Sequence, residues 1–460
     1  MVNAYNTNLL LFLTEEHPMD TVADAEDYVA QLSQIETQVG QLVEGLEIRR
    51  DLGNVPPRSI LRLTLDRLRD DIAGPADRLA PITTLEERLD GIGGLDDATR
   101  QQLVAAAMAE VQASFVLGWE ALIAHLESIE SLAGEDPGVW RLPDGDAYYD
   151  YLLRDQTSTE LTAEEIHEIG LAEVSRVEEE LRNVFTRLGY SEGASIGELR
   201  QQAALDGGFF DGSTPSGRDE VVAAYEALID EESVAVAPYF TAQPQAEVVV
   251  VPEQVGRGGF YVPSSVDGSR PGAFHAGVAG SSIPKYVMPT VAYHEAVPGH
   301  HFQIAFAQEQ DVPAFRRFSF YNGFVEGWAL YAELLAAEAG LYADDPYGDV
   351  GRLELELLRA VRLVTDTGIH RLGWSTEEAR AYMSKVIPGW EHEVVRHTVL
   401  PGQATGYMVG QQQILELRDQ AKAALGDDFD LAEFHEIVIG GGNVPLDVLD
   451  DLVWGWIEAH

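Results

Sequence analysis

The chain has no cysteine, which removes disulfides, thiol nucleophiles and cysteine-ligated zinc from consideration. Lysine is nearly missing too, with only Lys285, Lys385 and Lys422, and 30 basic residues face 77 acidic ones for a formal charge of −47. So acidic a surface repels nucleic acid and anionic membranes, and neither is an expected partner. Two origins fit the acidity equally well. One is the solvated helix faces of an ordinary bacterial protein; the other is halophilic adaptation, in which screening makes dense like charge tolerable. Long apolar runs are scarce as well. The opening "MVNAYNTNLLLFLTEEHPMD" holds five consecutive apolar residues and no basic lead, too short for a secretory core, and no other window is expected to span a bilayer. The expected location is cytoplasmic.

What the chain does have is helical periodicity. "DAEDYVAQLSQIETQVGQLVEGLEI" and "DDATRQQLVAAAMAEVQASFVLGWEALIAHLESIESL" carry apolar residues every three or four positions over many turns. Thr162 followed by Glu165 is a capping-box signature for the start of another helix. His125 and His167 fall in such helices and read as packed or surface residues. Near residue 240 the texture changes: "QAEVVVVPE" and "GGFYVP" suit short strands, and a Gly-, Ser- and Pro-rich stretch up to Pro289 reads as loop with one more short strand. Helices then resume to the end. The fold class is mostly α, with a small β-sheet element beside the helices that carry the chemistry. Residues 1–240 form a helical region and 241–460 a second region of strands followed by helices, together expected to make one catalytic body with a cleft.

The chemistry is densest at "AYHEAVPGHH", where three of the twelve histidines fall within eight residues. Hydrolytic zinc needs three protein ligands and one open position, and two histidines one helical turn apart share a face. A glutamate beside the first histidine then faces the water to be activated. His294 and Glu295 fit the first half of this pattern. On an unbroken helix His300 would lie about 120° around the axis from His294, and His301 about 10.5 Å along it instead of about 6 Å. Pro298 and Gly299 break that regularity, so a later histidine can return toward His294. His300 is favoured, with His301 close behind. The plain alternative is a helix end whose histidines bind nothing; the intact Glu295 and the density of the cluster weigh against it.

A third ligand is expected from "GFVEGWALYAE". Glu326 follows His300 by a helix and a connection, Gly327 and Ala329 are small enough to bring its helix close to the metal, and Glu333 lies two turns on, placed to orient a histidine. Near the C-terminus, "RHTVLPGQATGYMVGQQQ" offers Arg396 and Tyr407, and "FHEIVIGGGNVPLDVL" offers His435. Tyr407, then His435, are the candidate donors to a developing oxyanion. Arg396 is a candidate for binding a substrate carboxylate or for neutralising nearby acids. "GRGGFYV", with Gly259 and Tyr261, is a candidate edge strand for an extended peptide, against the plain reading as an ordinary hairpin edge. His275 is a lone loop histidine with little claim to a ligand role.

Four ordered stretches, "YHEAVPGHHFQ", "VEGWALYAE", "PGQATGYMVG" and "FHEIVIGGGNVPLDVL", resemble the bacterial family called domain of unknown function 885, a likeness running from "DYVAQLSQIE" to the C-terminus. "EGWALYAE" is also similar to the glutamate-ligand segment of gluzincin metallopeptidases, with which that family is grouped. The resemblance implies His294, one histidine of the 300–301 pair and Glu326 as ligands of one Zn2+, with Glu295 as general base. Family members often carry a longer N-terminal region, sometimes with a lipoprotein signal, which this sequence does not open with. The resulting expectation is a zinc-dependent hydrolase, a peptidase acting on short peptides. The alternatives are a zinc-dependent amidase or esterase on a non-peptide small molecule, and a non-catalytic metal-binding protein.

Overall fold

The computed structural model describes residues 5–253 and 258–460, and within them the periodic segments are helical almost throughout. The chain divides into two units, Met1–Pro137 and Gly138–His460. The change of texture near residue 240 lies inside the second unit. Strands and helices from both sides of that position pack together there, as where Tyr225 meets Phe274 edge-on at 5.0 Å.

The first unit is helical. Val22–Leu32 opens on a capping box of Thr21 and Asp24, and Ile35–Asp51 follows after a break at Ser33 and Gln34. Asp97–Glu110 continues through a π-helical turn at Val111–Phe115 into Val116–Ile129. By length and composition alone the run Asp97–Leu132 is apolar enough to cross a membrane, contrary to the expectation from sequence. The core helix of a folded unit passes the same test. Here Leu103, Ala107, Phe115, Trp119, Leu122 and Leu126 are buried in the core of this unit, while Glu110, Glu120 and Glu127 lie on the less buried faces.

The second unit carries the sheet and the candidate chemistry. Helix α1 (Ala163–Arg187) begins at the Thr162–Glu165 capping box read from sequence. Helix α2 (Pro215–Val236) leads to the strands. A two-residue strand β1 (Phe209–Phe210) pairs with β5 (Ile283–Pro284). The main sheet has the order β2-β4-β3, from β2 (Val248–Glu253), β3 (Gly259–Val262) and β4 (Gly272–Gly277); β2 runs parallel to β4 and β3 antiparallel. The expected strands are therefore present, and β3 is an edge strand. Gly256 and Arg257 of the "GRGGFYV" segment lie outside the described residues.

Six helices then complete the site's frame: α3 (Met288–Glu295), α4 (His300–Glu309), α5 (Asn322–Glu338), α6 (Pro346–His370), α7 (Glu393–Val399) and α8 (Gly406–Leu425). Helix α6 is buried nearly all round, the condition of a central core helix. Three of its charged residues are tied to partners on neighbouring elements: Glu356 to Arg176, Glu354 to Arg200, and Arg362 to Glu393. Buried charges are tolerated in this way because each is paired.

Candidate metal centre

The break between α3 and α4 builds the site. Pro298 has no N–H with which to continue α3, and the Val297–Pro298 peptide is cis. Gly299 is required by close approach: a Cβ there would lie 2.0 Å from the carbonyl oxygen of His294 and 2.4 Å from that of Tyr293. The turn closes with the amide of Phe302 donating to the carbonyl of Ala296 at 3.2 Å. Trp328 of α5 donates its indole N–H to the carbonyl of Pro298 at 2.8 Å, which ties the turn to the third helix. The His294 and His300 rings come to 4.7 Å between centroids despite five intervening positions.

Between those rings sits Glu326. Its Oε2 is 3.5 Å from His294 Nε2 and 3.4 Å from His300 Nε2, and one ligand atom from each of the three residues lies within 4.8 Å of the others. Among the described residues this is the group able to hold a metal ion. Glu326 Oε2 is buried and makes no hydrogen bond, so its charge points into the space between two imidazole nitrogens. Two imidazoles and a carboxylate are a donor set that fits zinc.

Glu333 lies behind His294, where the spacing places it. Glu333, fully buried, takes His294 Nδ1 at 2.8 Å and accepts from the Thr290 hydroxyl at 2.6 Å, and the Arg359 guanidinium lies 3.6 Å away. Burial works against charge on both partners, but mutual attraction outweighs it. Glu333 is held below the ordinary glutamate range by Arg359 and by the His294 and Thr290 hydrogen bonds. Glu326 and Glu333 raise His294 to about 9 against the effect of its burial.

Glu295, Tyr407 and Arg396 line two adjoining cavities together with His294. One, of about 370 Å³, runs toward Arg359, Arg362 and Glu393; the other, of about 330 Å³, holds His300 and Glu326 with Ile304, Val325, Phe260 and Phe320. The Tyr407 ring lies nearly parallel to His294 with centroids 6.4 Å apart, and its hydroxyl accepts from Arg396 at 3.1 Å. Gly259 and Tyr261 of the edge strand border the second cavity.

Several expectations are corrected. His301 does not join the group: its Nδ1 is 3.0 Å from the Tyr261 hydroxyl, and burial pushes it down to about 4. Gly327 faces away from the metal group, toward Gly410 of α8, where a Cβ would meet that glycine at 2.5 Å; the close approach it permits brings α8, and with it Tyr407, to α5. His435 is not in either cavity. It is buried among Phe240, Trp328 and Tyr331, with Nε2 2.7 Å from the Tyr331 hydroxyl and Nδ1 2.8 Å from the Tyr239 carbonyl, and burial lowers it to about 4. A histidine satisfied at both nitrogens and shut away from the cavities is a packing residue. His275 pairs with Glu253 at 2.7 Å and stacks on Phe260. His167 meets the Thr367 hydroxyl at 2.8 Å. Sequence reasoning missed Arg359, Arg362 and Glu393. The signal available for the two arginines was their position in "ELLRAVRLV", charges one turn apart among leucines and valines.

The model of the family described as bacterial protein of unknown function (DUF885) matches residues 2–453. None of the curated proteins compared matches the chain. The fold is similar to that of a candidate lipoprotein from Colwellia psychrerythraea, at 34% identity and a TM-score of 0.95, covering 99% of this chain and 80% of that one. It is also similar to a candidate lipoprotein of unknown function from Shewanella oneidensis, at 19% identity and a TM-score of 0.71, covering 98% and 82% respectively; that likeness shows the fold alone. The chain belongs to the bacterial family of unknown function DUF885.

Proposed function

We propose that this protein is a zinc-dependent hydrolase of gluzincin-like type, acting as a peptidase on short peptides. The observation that carries the reading is the buried, unbonded Glu326 Oε2 set between His294 Nε2 and His300 Nε2 at the edge of a cleft. These three residues would hold one Zn2+. Two carboxylates that raise His294 make a site that favours positive charge, so ion binding would displace that proton. The bound ion would supply Lewis-acid polarisation and lower the pKa of a water molecule.

The chain's own residues carry the remaining steps. Glu295 takes a proton from the attacking water as its oxygen bonds to the carbonyl carbon. The same proton passes to the leaving nitrogen as the C–N bond breaks, giving a carboxylate and an amine. Tyr407 is a neutral donor beside His294, suited to charge developing on the carbonyl oxygen. Edge strand β3 borders the cleft and offers an extended substrate backbone hydrogen bonds through its open side. A purely structural metal site has no use for a base, so Glu295 in the cleft favours catalysis over simple binding. For location, the description of two similar proteins as candidate lipoproteins favours the cell envelope over the cytoplasmic expectation.

The test is Glu295→Gln assayed on short peptides, with small amides and esters alongside. The expected result is retained zinc with hydrolysis lost by about 10²-fold or more. Hydrolysis that survives with zinc bound would refute the role of Glu295. Turnover of amides or esters without peptides would move the substrate class.

A further inference from the structure

We infer that the larger cavity is a carboxylate-binding subsite: Arg396, backed by Arg359 and Arg362, receives a carboxylate of the substrate, and cleavage falls within a few residues of it. The inference rests on the hydrolase reading for the position of the scissile bond, but the subsite stands on its own geometry.

Acids outnumber bases more than twofold in this chain, so arginines have carboxylates in ample supply. Arg396 nevertheless bonds only to neutral groups, the Gln403 amide oxygen at 2.9 and 3.2 Å and the Tyr407 hydroxyl at 3.1 Å. No carboxylate lies within ion-pair distance of it among the described residues, although it lines both cavities. Arg359 and Arg362 border the same space, and all three guanidinium carbons lie 5.0–5.9 Å from the centre of the Tyr407 ring. Glu393 neutralises Arg362 at 2.7 Å, and Glu333, already engaged with His294 and Thr290, is the carboxylate near Arg359. Arg359 Nε is buried and makes no hydrogen bond. With Arg362 paired, Arg359 and Arg396 remain as like charges beside one ring, and an anion entering near them offsets their repulsion. Arginine's planar fork also matches a carboxylate in two hydrogen bonds.

Position gives the rest. The Tyr407 ring is 6.4 Å from the His294 ring and 5.9 Å from the Arg396 guanidinium carbon, so the guanidinium lies at most about 12 Å from the centre of the His294 ring. That spans no more than three or four residues of extended chain at ~3.3–3.6 Å each. The smaller cavity, which Arg396 also lines, is bordered by Phe260, Ile304, Phe320 and Val325, a place for apolar substrate groups beside the bound carboxylate. The carboxylate can be a chain terminus or an acidic side chain; the chemistry of recognition is shared.

The experiment uses the full-length, zinc-loaded Glu295→Gln protein, so that peptides bind without turnover. Calorimetry compares tetra-alanine with a free C-terminus, the same peptide amidated, and an amidated version ending in glutamate. The free acid is expected to bind at least about tenfold more tightly than the plain amide. Arg396→Ala is expected to bring that ratio to about one, with Arg396→Lys between. Tight binding of the glutamate amide alone also supports the subsite and assigns the carboxylate to a side chain. Equal affinities for all three peptides, or no binding of any of them, would overturn the inference even if Arg396→Ala fails to fold, because they are measured with Arg396 intact. Wild-type protein that hydrolyses no peptide while the acid preference persists would instead sink the hydrolase reading and leave the subsite standing.

Discussion

Replacing Glu333 by glutamine removes one charge and almost no shape, which makes it a sensitive probe of the proposed centre. The carboxylate is fully buried, holds His294 Nδ1 at 2.8 Å and accepts from Thr290 at 2.6 Å. A glutamine keeps an oxygen for the Nδ1–H, and its NH2 can donate to the Thr290 hydroxyl. The charge-assisted half of the His294 bond is lost. With it goes much of the field that keeps His294 near 9, so the imidazole becomes a weaker donor to the ion. Removing such a supporting partner costs about 10–100-fold in metal affinity, or ~1.4–2.7 kcal/mol. The Glu333→Ala variant leaves Nδ1 and the Thr290 hydroxyl with no acceptor and is expected to lose more, with an added cost to folding of about 1–3 kcal/mol. The assay is zinc affinity by competition with a chromophoric chelator at pH 9.5, where the His294 proton no longer competes appreciably with the ion in either protein, with circular dichroism to confirm folding. Wild-type affinity should also fall about tenfold per pH unit from pH 9 to 7, as the His294 proton competes with the ion. Folded Glu333→Gln protein that binds zinc as tightly as wild type would show that His294 is not held for a metal in this way.

Two further outcomes follow from the same packing. Gly299→Ala puts a Cβ 2.0 Å from the His294 carbonyl oxygen, so the turn must open; zinc affinity and melting temperature should both fall, and unchanged values would mean that the turn is not what joins His294 to His300. Asp366 is fully buried, and its Oδ1 accepts from the Tyr149 hydroxyl at 2.6 Å and from the Gly402 amide at 2.9 Å, while burial raises the group to about 7 despite those bonds. The native state therefore keeps a proton that the unfolded chain loses above about 3.8, so stability contributed by this group falls as pH rises from about 3.8 to about 7, by up to ~4 kcal/mol. Asp366→Asn keeps the accepting oxygen without the ionisation, so it should be near neutral at pH 4 and stabilising at pH 8 in urea melts. An equal difference at both pH values would refute the assignment.

How far the sequence reaches is clearest at α3 and α4. Local rules were enough for the Thr162 cap, for the strands at Val248 and Gly259, and for a break at Pro298–Gly299 that returns an imidazole to His294. The spacing of Glu326 and Glu333 on one helix face was equally legible, because both periods are set by the helix itself. The choice between His300 and His301 depended on the angle of that turn, which Trp328 and the contact at Gly299 fix from a distance. Gly327 looked like a metal-facing small residue and packs on Gly410 instead, since residue size does not tell which neighbour demands it. His435 sits in an attractive glycine-rich context, yet its partners come from Tyr239 and Tyr331, far away in sequence. Arg359 and Arg362 acquire their meaning only when α7 and α8 bring Glu393, Arg396 and Tyr407 beside them. Likewise the division at Pro137 follows from contacts across many helices, whereas the visible change near residue 240 records only a switch from helix to strand.

The most direct measurement is elemental analysis of the purified protein after zinc loading and gel filtration, for wild type and for His300→Ala, His301→Ala and Glu326→Gln. One zinc per chain is expected in wild type and in His301→Ala, and loss of the ion in His300→Ala and Glu326→Gln with all variants folded. A folded wild-type chain that retains no zinc, or a His300→Ala chain that retains it fully, would contradict the proposed centre.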